Sequence, residues 1–190
     1  MSVQYLDTYQ PTEKLTHHVT DLSLLHFNSR SLKKNGSRAK IELDHLQWKF
    51  PVIAVTETWT TEEDTNTIFF PGYSTILKSR SYDHHGGVGL FLNDEFISGY
   101  EIKSFSSDDH LMETLFGQVF LGGRALIIGV LYKPPNIDLS LFNSTFDTPL
   151  SRLNAERKPC YLLGDFNVKL RKADNHRGTE EFVNLLYADS

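Results

Sequence analysis

Apolar residues along this chain fall into short runs with two different periods. Leu22-Ser23-Leu24-Leu25-His26-Phe27 is a compact run that reads as a core strand and ends on the polar Asn28. A loop carrying Lys33, Lys34, Asn35 and Gly36 follows. Ala39, Leu43, Leu46 and Phe50 then recur at helical spacing, which predicts an amphipathic helix lying on a sheet and closed by Pro51. Val52-Ile53-Ala54-Val55 is a second buried strand, running into Thr56-Glu57-Thr58-Trp59. Strand, helix, strand in that order implies a right-handed crossover.

The middle of the chain is rich in strand signals. Pro71-Gly72-Tyr73 marks a turn before Ser74-Thr75-Ile76-Leu77, and Gly86-Gly87-Val88-Gly89-Leu90-Phe91-Leu92 is a glycine-led strand. Its glycines do not form a nucleotide loop, because no Gly-Lys-Ser/Thr follows and no helix opens there. Met112 to Leu121 and Arg124 to Tyr132 form a hairpin around Gly122-Gly123, stopped by Pro134-Pro135. Phe142, Phe146, Leu150 and Leu153 make another helical stripe, with Asp138 or Ser140 as N-cap. Pro159 to Leu163 is the next strand, and a last helix opens at Thr179 with Phe182, Leu185 and Leu186 turned inward. Residues 1–21 are polar and aperiodic and read as a leader. Residues 22–190 read as one α/β domain: a sandwich of two face-to-face sheets with helices outside.

Composition narrows the class. The 190 residues are 39% hydrophobic and 23% charged, enough for one globular domain with a real core. No apolar run approaches the length needed to span a bilayer, and Met1-Ser2-Val3-Gln4-Tyr5 has no signal-peptide character. No membrane association is expected. The lone Cys160 cannot make an internal disulfide, which suits a reducing, intracellular setting, and it reads as a small apolar residue of its strand. A net charge of -5 argues against a passive nucleic-acid coat but leaves room for a nuclease, whose metal site needs carboxylates. Lys33, Lys34, Arg38 and Lys40 form one basic cluster, and Arg171, Lys172 and Arg177 another; both also read as solvated faces. His17-His18 and His84-His85 have no carboxylate or cysteine at ligand spacing and read as loop histidines.

The candidate chemistry lies at the ends of the apolar runs. Asp165 and Asn167, two positions apart at a strand end, point the same way, with Gly164 easing a turn. Glu57 offers a carboxylate to a divalent cation, and magnesium takes one or two such ligands while keeping its waters. Asn28 adds a neutral oxygen or orients a bound water. Asp165 accepts or directs the proton of an attacking water, and Asn167 and Tyr132 donate to phosphoryl oxygens. Together they describe metal-assisted hydrolysis of a phosphate ester. Each also has a structural reading: Asn28 as a turn cap, Glu57 as a loop cap or arginine partner, Tyr132 as a core aromatic, Asp165 and Asn167 as turn chemistry.

In this order, these residues resemble the endonuclease/exonuclease/phosphatase superfamily, with its deoxyribonuclease I-like fold. Asn28, Thr56-Glu57-Thr58-Trp59, Leu131-Tyr132-Lys133-Pro134-Pro135-Asn136 and Gly164-Asp165-Phe166-Asn167 match its motifs. Asn28-Ser29-Arg30-Ser31-Leu32, Pro71-Gly72-Tyr73 and Gly86-Gly87-Val88-Gly89 are similar to the endonuclease domains of LINE-type (non-LTR) retrotransposons. The resemblance implies a four-layer α/β/β/α sandwich that nicks DNA with Mg2+, or Mn2+, in the nucleus. Catalytic roles fall to Asp165, Asn167 and Tyr132, metal binding to Glu57 and Asn28, and substrate contacts to Asn28, Tyr132 and Asn167. A reverse transcriptase domain is expected downstream. The family also closes with an Asp-His pair on a late strand, which Asp174-Asn175-His176 does not replace. The expectation is therefore a C-terminally truncated domain with an incomplete second sheet and impaired activity. Two alternatives remain: a phosphomonoesterase of the same superfamily, and an inert retroelement remnant that at most binds a partner.

Overall fold

The structure, a computed structural model, describes residues 22–46, 48–80, 85–105 and 110–188. The predicted leader, His17, His18 and His84 lie outside the described residues. Two four-stranded sheets form the centre of the molecule. The first has the order β1 (Leu24–Asn28), β2 (Val52–Thr56), β4 (Val88–Asn93), β3 (Tyr73–Lys78). The second runs β5 (Ile97–Lys103), β6 (Glu113–Leu121), β7 (Arg124–Tyr132), β8 (Cys160–Asp165) in chain order. β1 and β2 are parallel, as are β7 and β8, and the other pairs are antiparallel.

Alternation along the strands builds the layers. In β2, Val52 and Ala54 face the second sheet while Ile53 and Val55 face helix α1 (Leu32–Leu46), so both sides of the strand are buried. Between the sheets, Val88, Leu90 and Leu92 meet Val119, Ile128 and Val130. On the far side, Phe116 and Leu131 pack under α2 (Leu139–Ala155) and α3 (Arg177–Ala188). There Phe142 and Phe146 stack with ring centroids 5.3 Å apart, and Phe182 closes the cluster from α3. Truncating one of these phenylalanines to alanine costs about 3–5 kcal/mol, because the surrounding layers only partly refill the cavity. Asp138 is the α2 N-cap, its carboxylate accepting from the Ser140 and Leu141 N–H groups. Gly122 and Gly123, at φ 56° and 76°, close the β6–β7 hairpin in the left-handed conformation that such turns require. Among the described residues no helix is long and apolar enough to cross a membrane.

Several sequence expectations need correction. The predicted loop at 33–36 belongs to α1, which begins at Leu32. Tertiary anchoring overrides the poor helix formers there: Leu32 N–H bonds to Thr58 O, and the Asn35 amide holds the carbonyls of Ser29 and Arg30. The buried stripe of α1 is accordingly Leu32, Gly36, Ala39 and Leu43; Leu46 is exposed, and Phe50 is buried beyond the helix end. Leu186 is likewise exposed, and Val183 takes its place in the core. Cys160, at the start of β8, is exposed rather than packed. β5 went unpredicted because its outer edge gives it a weak alternation, broken by a register shift between Ile97 and Gly99. Gly164 does not ease a turn. It lies within β8, where a Cβ would collide with the Leu131 carbonyl on β7.

Candidate active site

The parallel pairs β1–β2 and β7–β8 bring their C-terminal ends to the same side of the sandwich. Register then puts Asn28 opposite Thr56, one residue before Glu57, and Tyr132 opposite Asp165. Asn28, Glu57 and Asp165 meet there. The Asn28 amide nitrogen donates to Glu57 Oε1 at 2.7 Å and to Asp165 Oδ2 at 3.0 Å. The two carboxylates, from different sheets, thus face one another across a single donor.

The backbone around them is unusual. Five of the six described non-glycine residues with positive φ are Arg30, Ser31, Glu57, Trp59 and Asn167, all at this end. Such conformations persist only where neighbouring bonds over-determine them. Here Ser29 N–H bonds to Thr56 O and Ser31 N–H to Glu57 O, while Thr58 and Trp59 N–H bond to Gly87 O and Gly86 O. The glycine-led run is therefore a clamp on the Glu57 loop. Thr58, fully buried, adds a hydroxyl contact to Thr60 at 3.1 Å.

Asp165 and Asn167 form a local turn, the Asn167 N–H donating to Asp165 Oδ1 at 3.2 Å. The Asn167 amide nitrogen donates to Lys133 O at 2.8 Å, so one of its two protons is already committed. Asn28 is similarly oriented. Its oxygen accepts from Arg30 N–H at 3.1 Å, so it presents nitrogen to the carboxylates and would have to turn its oxygen inward to ligate a cation. Tyr132 is 7% exposed. Burial, then the negative charges of Glu57 and Asp165 and a hydrogen bond to Glu57, push its phenol up to about 12. It is a proton donor throughout the neutral range, never a base. His26, one turn of the strand pleat below Asn28, contacts the Thr56 hydroxyl at 3.2 Å. Burial holds its imidazole below the usual value, partly offset by Asp165, so it is neutral at pH 7. A cleft of about 600 Å³ opens beside these groups, lined by His26, Asn28, Asp165, Asn167, Lys169 and Phe182.

The basic clusters behave mostly as structure. Lys33 pairs with Asp64 at 2.7 Å, Arg38 reaches Glu42 on its own helix, and Lys40 lies over Phe69. Arg177 pairs with Glu181, and Arg171 is exposed. Lys133 is buried, with its ammonium donating to the carbonyls of Pro134 and Ile137. Arg30 and Lys169 are the exposed cations closest in sequence to Asn28 and Asn167.

The donor set suits a hard divalent cation. The two converging carboxylates of Glu57 and Asp165 are oxygen donors of the kind magnesium takes, the Asn28 amide adds another only by turning its oxygen inward, and the repulsion between the two carboxylates favours positive charge between them. Among the described residues no group of three or more His, Cys, Asp or Glu is arranged to hold a metal. Sequence reasoning named Asn28, Glu57, Tyr132, Asp165 and Asn167, but missed Glu113 and Arg80. Glu113 lies opposite Tyr132 on β6, 3% exposed, in an ion pair with Arg80. An ionisable residue opening a mostly apolar strand is its signal.

No family model matches the chain, and no curated protein sequence matches it. Solved structures do. An AP endonuclease from Leishmania major superposes with a TM-score of 0.64 at 16% identity, covering 86% of this chain and 65% of its own. The endonuclease domain of TRAS1, a telomere-specific non-LTR retrotransposon, gives 0.64 at 11% identity, covering 87% and 70%. A mannosyl-6-phosphatase from Bacteroides thetaiotaomicron gives 0.61 at 16%, covering 86% and 70%. These neighbours are members of the endonuclease/exonuclease/phosphatase superfamily, and this chain shares their deoxyribonuclease I-like fold.

Proposed function

We propose that this chain is a divalent-metal-dependent phosphodiesterase that nicks DNA, of the non-LTR retrotransposon endonuclease type. The observation that carries the reading is the meeting of Glu57 and Asp165 on the Asn28 amide, at the strand ends where Tyr132 also lies. The retroelement-like motifs and neighbours such as the TRAS1 domain support it.

A cation held by Glu57, with Asn28 as a second candidate ligand, would supply positive charge to the phosphate oxygens. The protein's own groups would do the rest. Asp165 takes the proton of the attacking water as its oxygen bonds to phosphorus, the P–O bond to the sugar breaks, and the departing sugar oxygen leaves with the electron pair and takes a proton from solvent water. Asn167 offers its uncommitted N–H, and Tyr132 its hydroxyl, to the charge that builds on the phosphoryl oxygens. Lys169, which lines the cleft, and the exposed Arg30, two residues after Asn28, are the cations available to the neighbouring phosphates. In an element of this type, a reverse transcriptase would act on the nicked DNA, and the work would be nuclear.

A phosphomonoesterase is the second reading, favoured by the mannosyl-6-phosphatase among the neighbours. Plasmid nicking separates the two. Nicking with magnesium that is lost on chelation and in Asp165→Ala supports the endonuclease. Release of inorganic phosphate from small phosphate esters without nicking supports the phosphatase. A folded protein inert in both assays contradicts both and leaves a retroelement remnant.

A further inference from the structure

We propose that Glu113 and Arg80 are positioning residues for Glu57, acting on it through the Gly86–Gly87 turn; this rests on the metal-binding reading of Glu57 above. Glu113 stands on β6 of the second sheet, at the register position opposite Tyr132. Its side chain reaches across to the first sheet. One carboxylate oxygen pairs with an Arg80 guanidinium nitrogen, and the other accepts the Gly87 N–H. The Arg80 and Glu113 side chains are 9% and 4% exposed, so the pair is withdrawn from water.

The turn that Glu113 grips is the one that grips the Glu57 loop. Gly86 O accepts from Trp59 N–H at 2.8 Å, and Gly87 O from Thr58 N–H at 3.2 Å. Those are the two residues directly after Glu57. Glu57 and Trp59 hold φ of 52° and 50°, a conformation that side-chain-bearing residues leave unless they are restrained. Gly86 and Gly87 themselves have φ of 97° and 84°, and a Cβ on Gly86 would run into the Glu113 carboxylate and the Arg80 guanidinium. The chain of contacts is therefore continuous: Arg80, Glu113, Gly87, Thr58, Glu57. A carboxylate suits the central place because both its oxygens accept, one from a guanidinium and one from an amide N–H. A glutamine there would turn an NH2 toward one of the two donors. The turn would loosen and Glu57 would lose its set orientation.

A purely structural staple between the sheets would affect stability alone, so the test reads metal affinity in folded protein. Manganese binding is measured by calorimetry, well below each protein's melting temperature, for wild type, Glu57→Gln, Glu113→Gln, Arg80→Gln and Arg80→Lys. Binding should be present in wild type and lost in Glu57→Gln. Glu113→Gln and Arg80→Gln should bind with unchanged stoichiometry and an affinity roughly tenfold lower, the scale seen for groups that orient metal ligands. Arg80→Lys, which keeps the charge, should recover part of it. Wild-type affinity in folded Glu113→Gln overturns the proposal, as does wild-type affinity in Arg80→Gln should Glu113→Gln fail to fold. No manganese binding by wild type, or undiminished binding by Glu57→Gln, overturns the metal reading itself and the proposal with it.

Discussion

Glu57 and Asp165 accept hydrogen bonds from one nitrogen, that of the Asn28 amide, at 2.7 and 3.0 Å. One residue comes from the end of the first sheet's β2, the other from the end of the second sheet's β8. The amide does two jobs here. It ties the sheets together at the site, and it screens two like charges from each other.

Asn28→Ala should therefore destabilise the metal-free protein by about 2 kcal/mol, the scale of one to two hydrogen bonds to charged groups. On the proposed reading, a divalent cation held by Glu57 would replace part of what the amide supplied. Millimolar magnesium should raise the melting temperature of Asn28→Ala more than that of wild type. Thermal denaturation with and without magnesium checks this, and an equal rise in both proteins contradicts it.

Tyr132→Phe keeps the ring in the inter-sheet core and removes only the hydroxyl. If Tyr132 donates to developing charge as proposed, the hydrolysis rate should fall by about 100-fold with little change in fold. The alkaline limb carries a second signature. The folded phenol titrates near 12 against 10.0 for the unfolded chain, so the unfolded state loses its proton first. The contribution is complete below pH 10 and is lost as pH rises toward 12. Tyr132→Phe should show a shallower fall of melting temperature across that window.

Much of this arrangement was legible in the sequence, for a physical reason. Buried strands here are short apolar runs, and a polar residue at the end of such a run marks a strand end: Asn28, Glu57, Tyr132 and Asp165 were found that way. Parallel pairing then collects the ends. What escaped depends on contacts between distant segments. The start of α1 is set by Thr58 and by Asn35's reach to Ser29 and Arg30, against local propensity. The role of Gly164 comes from close approach of β7, which no local pattern reports. The Gly86–Gly87 run reads as the start of a glycine-led strand, and its use as a clamp on Thr58 and Trp59 appears only when the sheets are stacked.

The loop that follows Glu57 has its own anchor. Asp64 pairs with Lys33 of α1 at 2.7 Å and caps the short 3-10 helix Glu62–Asn66, accepting from the Thr61 N–H and hydroxyl at 2.8 Å each. Lys33 first, then Thr61, holds the Asp64 carboxyl down at about 2, against 3.8 unfolded. Its contribution is present above pH 3.8 and is lost as pH falls toward 2. Asp64→Asn should lower the melting temperature at pH 7 and leave it close to wild type near pH 2. A pH series of melting curves reads both ends.

The position of a bound divalent cation is the decisive observation. Crystals soaked in manganese, with anomalous data collected at the manganese edge, show that location directly. A peak is expected within ligand distance of Glu57, on the side facing Asp165, and absent in Glu57→Gln crystals. A peak elsewhere on the molecule, or none at millimolar manganese with both carboxylates still joined through Asn28, would contradict it.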